Sequence, residues 1–465
     1  MTASLSDELF DIVIVGTGVV GCAMARRFAL EGARVLIVEK SGDTLDGASK
    51  ANSAILHTGF DAPPPGSLEH SCITEGYADY LRIREKLNLP LLQCGALVLA
   101  WNEQEHERLF DIERDAARNG VDSVRMLTRD EALQREPGLA GGVVAAIEVA
   151  GEFVIDPWSA PHAYLLQALQ NGARLERHCE LLGGEFDGAS WRLDTARGSV
   201  RGQRVINCAG LHGDRVDRSL LGESAFEIRP RKGQFVVFDK SAGQLTRRIL
   251  LPVPIATTKG IVVCPTIFGN LLVGPTAEEQ ESRERADVDR ATLHALVERG
   301  REILPALSRH AVTATYAGIR PATEHKDYQL RWYHDRHYCS VGGIRSTGLS
   351  AALGIAAMVY RGYTDAGVTH TPPPKPRWPQ VPTLAEHGQR DWREAGNGGI
   401  VCHCERVTRR EVERALQGPV APGSLAELKR RTRVTMGRCQ GFYCSAELAE
   451  LTAGRIQPPM SEAIK

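Results

Sequence analysis

Residues 11–39 read DIVIVGTGVVGCAMARRFALEGARVLIVE. Residues 11–15 are a short β-branched apolar run, the pattern of a strand buried in a parallel sheet. Gly16-Thr17-Gly18-Val19-Val20-Gly21 follows at once, then a helical stretch, then a second apolar run from Ala33 to Val38 that ends at Glu39. Each part has a mechanical task. Gly16 allows the tight turn, Gly18 lets a pyrophosphate approach the backbone, and Gly21 lets helix and strand pack closely. The helix N-terminus offers free N–H groups to phosphates. Glu39, 18 residues past Gly21, is placed to bind ribose hydroxyls. Strand, glycines, helix, strand and acid in this order predict a dinucleotide-binding βαβ unit. The unit alone does not separate FAD from NAD.

The rest of the chain bounds the function. Its 465 residues suffice for two or three domains, with 43% apolar and 24% charged residues. Lys plus Arg total 56 against 57 Asp plus Glu, so no basic excess suggests a nucleic-acid partner. The N-terminal residues lack the basic region of a signal peptide. No apolar run reaches the roughly 18 residues of a membrane span. These readings predict a cytoplasmic protein and leave peripheral contact with the inner membrane open. Seven of the eleven cysteines are scattered, while Cys402, Cys404, Cys439 and Cys444 cluster near the C-terminus. In a reducing compartment such a cluster suggests metal before disulfides.

Two later segments point to FAD. Residues 204–210 (RVINCAG) are a strand running into a small-residue turn at Ala209-Gly210. Residues 341–350 (VGGIRSTGLS) are a glycine-rich turn opening a second helix. With the βαβ unit, they resemble the FAD-binding elements of the D-amino-acid oxidase/glycerol-3-phosphate dehydrogenase superfamily. Residues 52–59 (NSAILHTG) are similar to the flavin-contacting segment of its L-2-hydroxyglutarate dehydrogenase and glycerol-3-phosphate dehydrogenase-like branch. Residues 258–261, 269–276 and 317–321 are similar to the same branch. The resemblance implies FAD held by Gly16, Gly18, Gly21, Glu39, Ser53, Ala209, Gly210, Gly343, Arg345, Gly348 and Leu349. It also implies an α/β fold in which a Rossmann-like FAD-binding part (about 1–80, 145–220 and 315–368) is discontinuous. An antiparallel-sheet substrate domain (about 81–144 and 221–314) then roofs the flavin. GQFVVFD (233–239) and GIVVCPT (260–266) are β-rich enough for that roof.

Six prolines at positions 372–382 mark residues 369–398 as a semi-stiff linker before a C-terminal domain, 399–465. There Cys402-His403-Cys404 is separated by 34 residues from Cys439, and Cys444 follows after four more. Thr408 with Glu411 and Ser424 with Glu427 have capping-box spacing and predict two short helices between the cysteine pairs. Folded back, these bring four thiolates together, which suits a 2Fe–2S cluster or a tetrahedral zinc. A Cys-x-Cys pair is tight for structural zinc. The segment CHCERVT…LKRRTRVTMGRCQGFYC resembles the bacterioferritin-associated-ferredoxin-like domain found fused to anaerobic glycerol-3-phosphate dehydrogenase subunits. That resemblance implies a 2Fe–2S cluster on the four cysteines, with His403 beside the ligands.

For the chemistry, His57 is the candidate proton acceptor, since its ordinary pKa lies near neutrality. Arg320, in Ala-Gly-Ile-Arg-Pro, is the candidate anchor for a substrate anion, which a guanidinium grips bidentately. Lys259, Arg231 and Arg345 are weaker candidates, and His325 is an unranked surface or rim residue. The resemblance implies an FAD-dependent dehydrogenase of a small anionic 2-hydroxy compound, either glycerol 3-phosphate or a 2-hydroxy acid. Electrons would pass through the 2Fe–2S cluster to a quinone, an electron-transfer protein or a partner subunit, in a homo- or hetero-oligomer. An amine or amino-acid dehydrogenase, or an electron-relay subunit, are the alternatives.

Overall fold

The computed structural model describes residues 8–254 and 260–461. At its centre, five parallel strands run in the order Tyr338–Gly342, Gly198–Asn207, Leu9–Val15, Val35–Val38, Arg174–Glu176. Ile12, Val13 and Ile14 are fully buried, as the apolar run requires. Strand Gly198–Asn207 pairs with Leu9–Val15 along one edge and is long enough to serve two neighbours along the other. Its first half pairs antiparallel with Trp191–Thr195 and its end pairs parallel with Tyr338–Gly342. Helices Val19–Leu30, Ser159–Gln170 and Gly348–Asp365 pack around one shared core with this sheet. At the first turn, Gly16 has φ 100°, and a Cβ there would meet the Cys208 carbonyl oxygen at 2.8 Å. A Cβ on Gly21 would stand 2.0 Å from the Gly16 carbonyl oxygen, so only glycine lets the helix start so close to the turn.

A second sheet of nine strands lies beside it. It is antiparallel except where Ile249–Pro252 pairs parallel with Ala96–Ala100. Arg229–Phe238 and Val262–Pro265 realise the two segments expected there. Strands Ala145–Val149 and Val312–Ala322 also belong to this sheet, whereas the division expected from the sequence places 145–149 and 315–322 in the FAD-binding part. Val312–Ala322 pairs along nearly its whole length with Arg229–Phe238. Residue alternation reveals a strand but not which sheet claims it.

The proline-rich segment is a packed strap. Val381, Leu384, Ala385 and Arg390 are buried. Trp378 receives the Arg26 guanidinium and the Lys86 ammonium on its ring. The C-terminal domain has its own small core, including Val401, Val412, Leu428 and Leu448. Its helices are Arg409–Gln417, Leu425–Thr432 and Ser445–Thr452. The Thr408–Glu411 capping box is complete. The second box is half made: Ser424 accepts from the Glu427 N–H, but the Glu427 carboxyl accepts from the Thr44 hydroxyl and the Gly423 N–H and not from the Ser424 N–H. A tertiary partner, Thr44, shares the carboxyl with the local backbone.

Candidate active site

The carboxyl ends of the parallel strands open into a cavity of about 970 Å³, where a doubly wound sheet binds its ligands. Gly16, Gly18, Glu39, Ser53, Ala209, Gly210, Gly343, Arg345, Gly348, Leu349 and Arg320 all line it. Gly21 lies behind the wall. Two helix starts face the cavity without a cap from their own N-cap side chain, and the Val19 N–H of the first donates to the Ser49 hydroxyl at 2.9 Å. Val19–Leu30 begins at Gly18, and Gly348–Asp365 begins at Thr347. The Thr347 hydroxyl is committed instead to Glu69 (2.8 Å) and Tyr328 (2.6 Å). The Glu39 carboxylate accepts from the Thr17 N–H (2.8 Å) and hydroxyl (2.6 Å) at the strand end. Bare glycine backbone, two helix starts and a fixed acceptor form the donor and acceptor set that a dinucleotide needs.

Most charges around this cavity are already paired. Arg345 binds the buried Glu69 at 2.6 Å. Arg283 holds the buried Asp214 with both terminal nitrogens. Burial, with Lys40 and Arg215 nearby, pushes the His212 imidazole down to about 4, so it is neutral at pH 7. Arg231 is bound to Glu279 on an exposed strand pair. His325 contacts Glu324 and the Ala225 carbonyl. Lys259 lies outside the described residues.

Arg320 differs. Its guanidinium donates to the Thr276 carbonyl oxygen at 3.2 Å and has no carboxylate partner among the described residues. Burial, reinforced by Arg231 across the strand pair, lowers its pKa to about 10. It remains a cation at neutral pH.

His57 does not contribute to the cavity wall. Ala54 takes a left-handed kink (φ 63°), after which the chain runs along helix Gly348–Asp365. The His57 N–H donates to the Ser350 hydroxyl of that helix at 2.9 Å. Its Nδ1 meets Glu152 Oε2 at 2.9 Å, and Nε2 has no partner among the described residues. The other Glu152 oxygen accepts from the Thr58 N–H (2.6 Å) and hydroxyl (2.8 Å). Glu152 is fully buried. Sequence reasoning missed it. The available signal was a lone acid inside the apolar run Val149–Ile155, which needs a partner once buried.

In the C-terminal domain, the Cys404 and Cys439 thiols interact directly, as do those of Cys402 and Cys444. Burial and neighbouring thiols push Cys404 up and Cys444 up to about 12. Backbone N–H groups of Tyr443, Gly441 and Phe442 hold Cys439 down. Among the described residues, no three His, Cys, Asp or Glu side chains converge as one metal ion demands. Two thiol pairs fit the donor set of a two-iron cluster, which these cysteines would hold. His403 is exposed.

Residues 11–361 match the model of the FAD dependent oxidoreductase family. The chain belongs to that family. Residues 400–453 match the BFD-like 2Fe-2S binding domain, so FAD and a 2Fe–2S cluster are the cofactors of this oxidoreductase. It is 30% identical to a glycerol 3-phosphate dehydrogenase of Caloramator mitchellensis, over 98% of this chain and 96% of that one. It is 26% identical to one of the subunits of the anaerobic glycerol-3-phosphate dehydrogenase of Escherichia coli K12, over 95% and 87%. The structure of L-alpha-glycerophosphate oxidase from Mycoplasma pneumoniae with FAD bound superimposes with a TM-score of 0.74 at 27% identity. It covers 81% of this chain and 100% of that one. No helix among the described residues is long and apolar enough to cross a membrane.

Proposed function

We propose that this oxidoreductase is a dehydrogenase of a small anionic hydroxy compound, with glycerol 3-phosphate foremost and 2-hydroxy acids next. The observation that carries the reading is the unpaired Arg320 guanidinium on the cavity wall. A partly desolvated cation without a counter-charge is costly, and a phosphate or carboxylate docking on its fork offsets that cost. The relatives named as glycerol 3-phosphate dehydrogenase and oxidase support the same substrate class.

Arg320 holds the anion. His57 is the group we assign to take the hydroxyl proton: it does not line the open cavity, but its Nε2 has no partner among the described residues and Glu152 fixes the ring by accepting from Nδ1. Gly233, Phe235 and Ile319 of the nine-stranded sheet line the cavity beside Arg320. The backbone of Gly16 and Gly18, with Glu39, holds the dinucleotide, and the four cysteines hold the cluster. When bound, FAD supplies a two-electron acceptor for the substrate, and the 2Fe–2S cluster a one-electron carrier toward a quinone, an electron-transfer protein or a partner subunit.

Anaerobic mixing of the purified protein with glycerol 3-phosphate, L-2-hydroxyglutarate and a panel of amino acids tests the reading by flavin bleaching. Glycerol 3-phosphate or a 2-hydroxy acid should bleach it. Bleaching by amino acids alone would move the reaction to a C–N bond. Reduction only by a protein donor would make the chain a relay.

A further inference from the structure

We infer that the buried charge cluster of Lys240, Glu405 and Arg433 sets the reduction potential of the 2Fe–2S cluster on the side that faces the flavin cavity. The inference rests on the cluster being held by the four cysteines. Glu405 follows Cys404 directly and is 1% exposed. A Cβ added to Gly437 would stand 2.3 Å from Cys404 Cβ and 3.2 Å from Glu405 Oε1, so the carboxylate lies close beside this ligand. Arg433 donates to Glu405 at 2.8 Å and Lys240 reaches it at 3.3 Å. Lys240 also binds Glu386 of the strap at 3.0 Å. Three separate parts of the chain thus meet in one ion cluster: Lys240, just past the end of strand Arg229–Phe238, and Arg433 of the cysteine domain both bind Glu405, and Glu386 of the strap binds Lys240.

The same arginine points the cluster toward the flavin site. Its guanidinium lies 3.9 Å from the Phe268 ring centre. Phe268 stacks on Trp158 at 5.7 Å, and Trp158 Nε1 donates to the Lys50 carbonyl at 3.0 Å. Lys50 lines the cavity. A continuous chain of contacts therefore joins the cavity wall to Glu405 and Cys404.

Buried charges are screened little by salt or water. Reduction adds one negative charge, so a neighbouring cation favours the reduced form and raises the potential, whereas a carboxylate lowers it. Lys240 and Arg433 would hold the potential up and Glu405 would hold it down, while Glu386 is shared between Lys240 and Arg406 farther out. A merely structural ion cluster makes a different prediction, because removing any member would loosen the domain in the same way.

The test is a redox titration of the anaerobic holoprotein followed by electron paramagnetic resonance, with iron and FAD quantified in each variant. Lys240→Met and Arg433→Met should lower the cluster's potential, Glu405→Gln should raise it, and Arg433→Lys should stay near the parent. The expected shift is roughly tenfold in the one-electron equilibrium, about 59 mV. Lys240 lies outside the cysteine domain, so Lys240→Met decides the matter if Arg433→Met loses iron. Potentials that stay fixed, or that all move in one direction, would overturn the inference. A parent protein without iron would overturn the reading of the cysteine domain instead.

Discussion

Arg320 and His57 owe their character to the groups that each does or does not meet. Arg320→Ala should lower kcat/KM on the true substrate by about a hundredfold or more, the scale of a truncated buried charge pair. Arg320→Lys should recover only part, because an ammonium lacks the planar fork. Unchanged kinetics in Arg320→Ala would remove it from the site. His57→Ala should slow flavin reduction by roughly a hundredfold to ten-thousandfold with FAD content intact, as for the loss of one general base. Glu152→Gln should slow the same step less, since the ring stays but its Nδ1 loses a charged acceptor. Loss of FAD in either variant would show that the pair only orders the 54–58 loop. Arg320 was legible because a local motif surrounds it. The Glu152 contact was not, because 95 residues separate it from His57 and no local pattern encodes that meeting.

Elements that carry their own signal were readable, and elements defined by a distant neighbour were not. The βαβ unit was plain because its strand, turn and helix are consecutive. The sheet that takes Val312–Ala322 and the burial of the strap depend on partners far along the chain. The crossing of helices Leu68–Ile83 and Gly348–Asp365 is another such feature, and it bears on the site. A Cβ on Gly76 would stand 2.2 Å from the Ser350 carbonyl oxygen, and one on Gly354 would stand 2.2 Å from that of Cys72. Backbone therefore meets backbone where the second helix presents its N-terminus to the cavity. Gly354→Ala should cost about 1–3 kcal/mol, the usual range for overpacking a close contact. It should also lower the FAD-to-protein ratio by moving that N-terminus. Gly142→Ala, where an added Cβ meets nothing within 4 Å, is the matched control. A thermal melt and flavin absorbance measure both effects, and equal behaviour of the two variants would show that the crossing tolerates a shift.

At the scale of the whole molecule, the cysteine domain is docked and not merely tethered. The loop that follows Glu39 grips it: Asp43 accepts from the Gly423 N–H (3.0 Å) and from the Ser424 hydroxyl, and the Thr44 hydroxyl donates to Glu427 at 2.6 Å. Glu427 is almost fully buried, and burial, with Asp43 beside it, pushes its carboxyl up to about 7. The Thr44 hydrogen bond and Arg431 work against that rise. Arg177 lies 3.7 Å from Glu427, and Arg430 lies 3.8 Å from Asp43. A carboxyl whose folded pKa is raised binds its proton more tightly folded than unfolded. Its contribution to docking is therefore complete below its ordinary value of 4.5 and is lost as pH rises through about 7. Between those limits the interface should loosen as pH increases. Glu427→Gln keeps an acceptor for Thr44 but has no proton to lose, so its docking should be flat over the same window. Hydrogen exchange of residues 423–432, followed from pH 5 to pH 8 and corrected for intrinsic exchange rates, reads this directly. Protection should fall with pH in the parent and hold in Glu427→Gln. Parallel pH profiles in the two proteins would show that the Glu427 proton does not govern the interface, and that the arginines around it carry the docking at every pH.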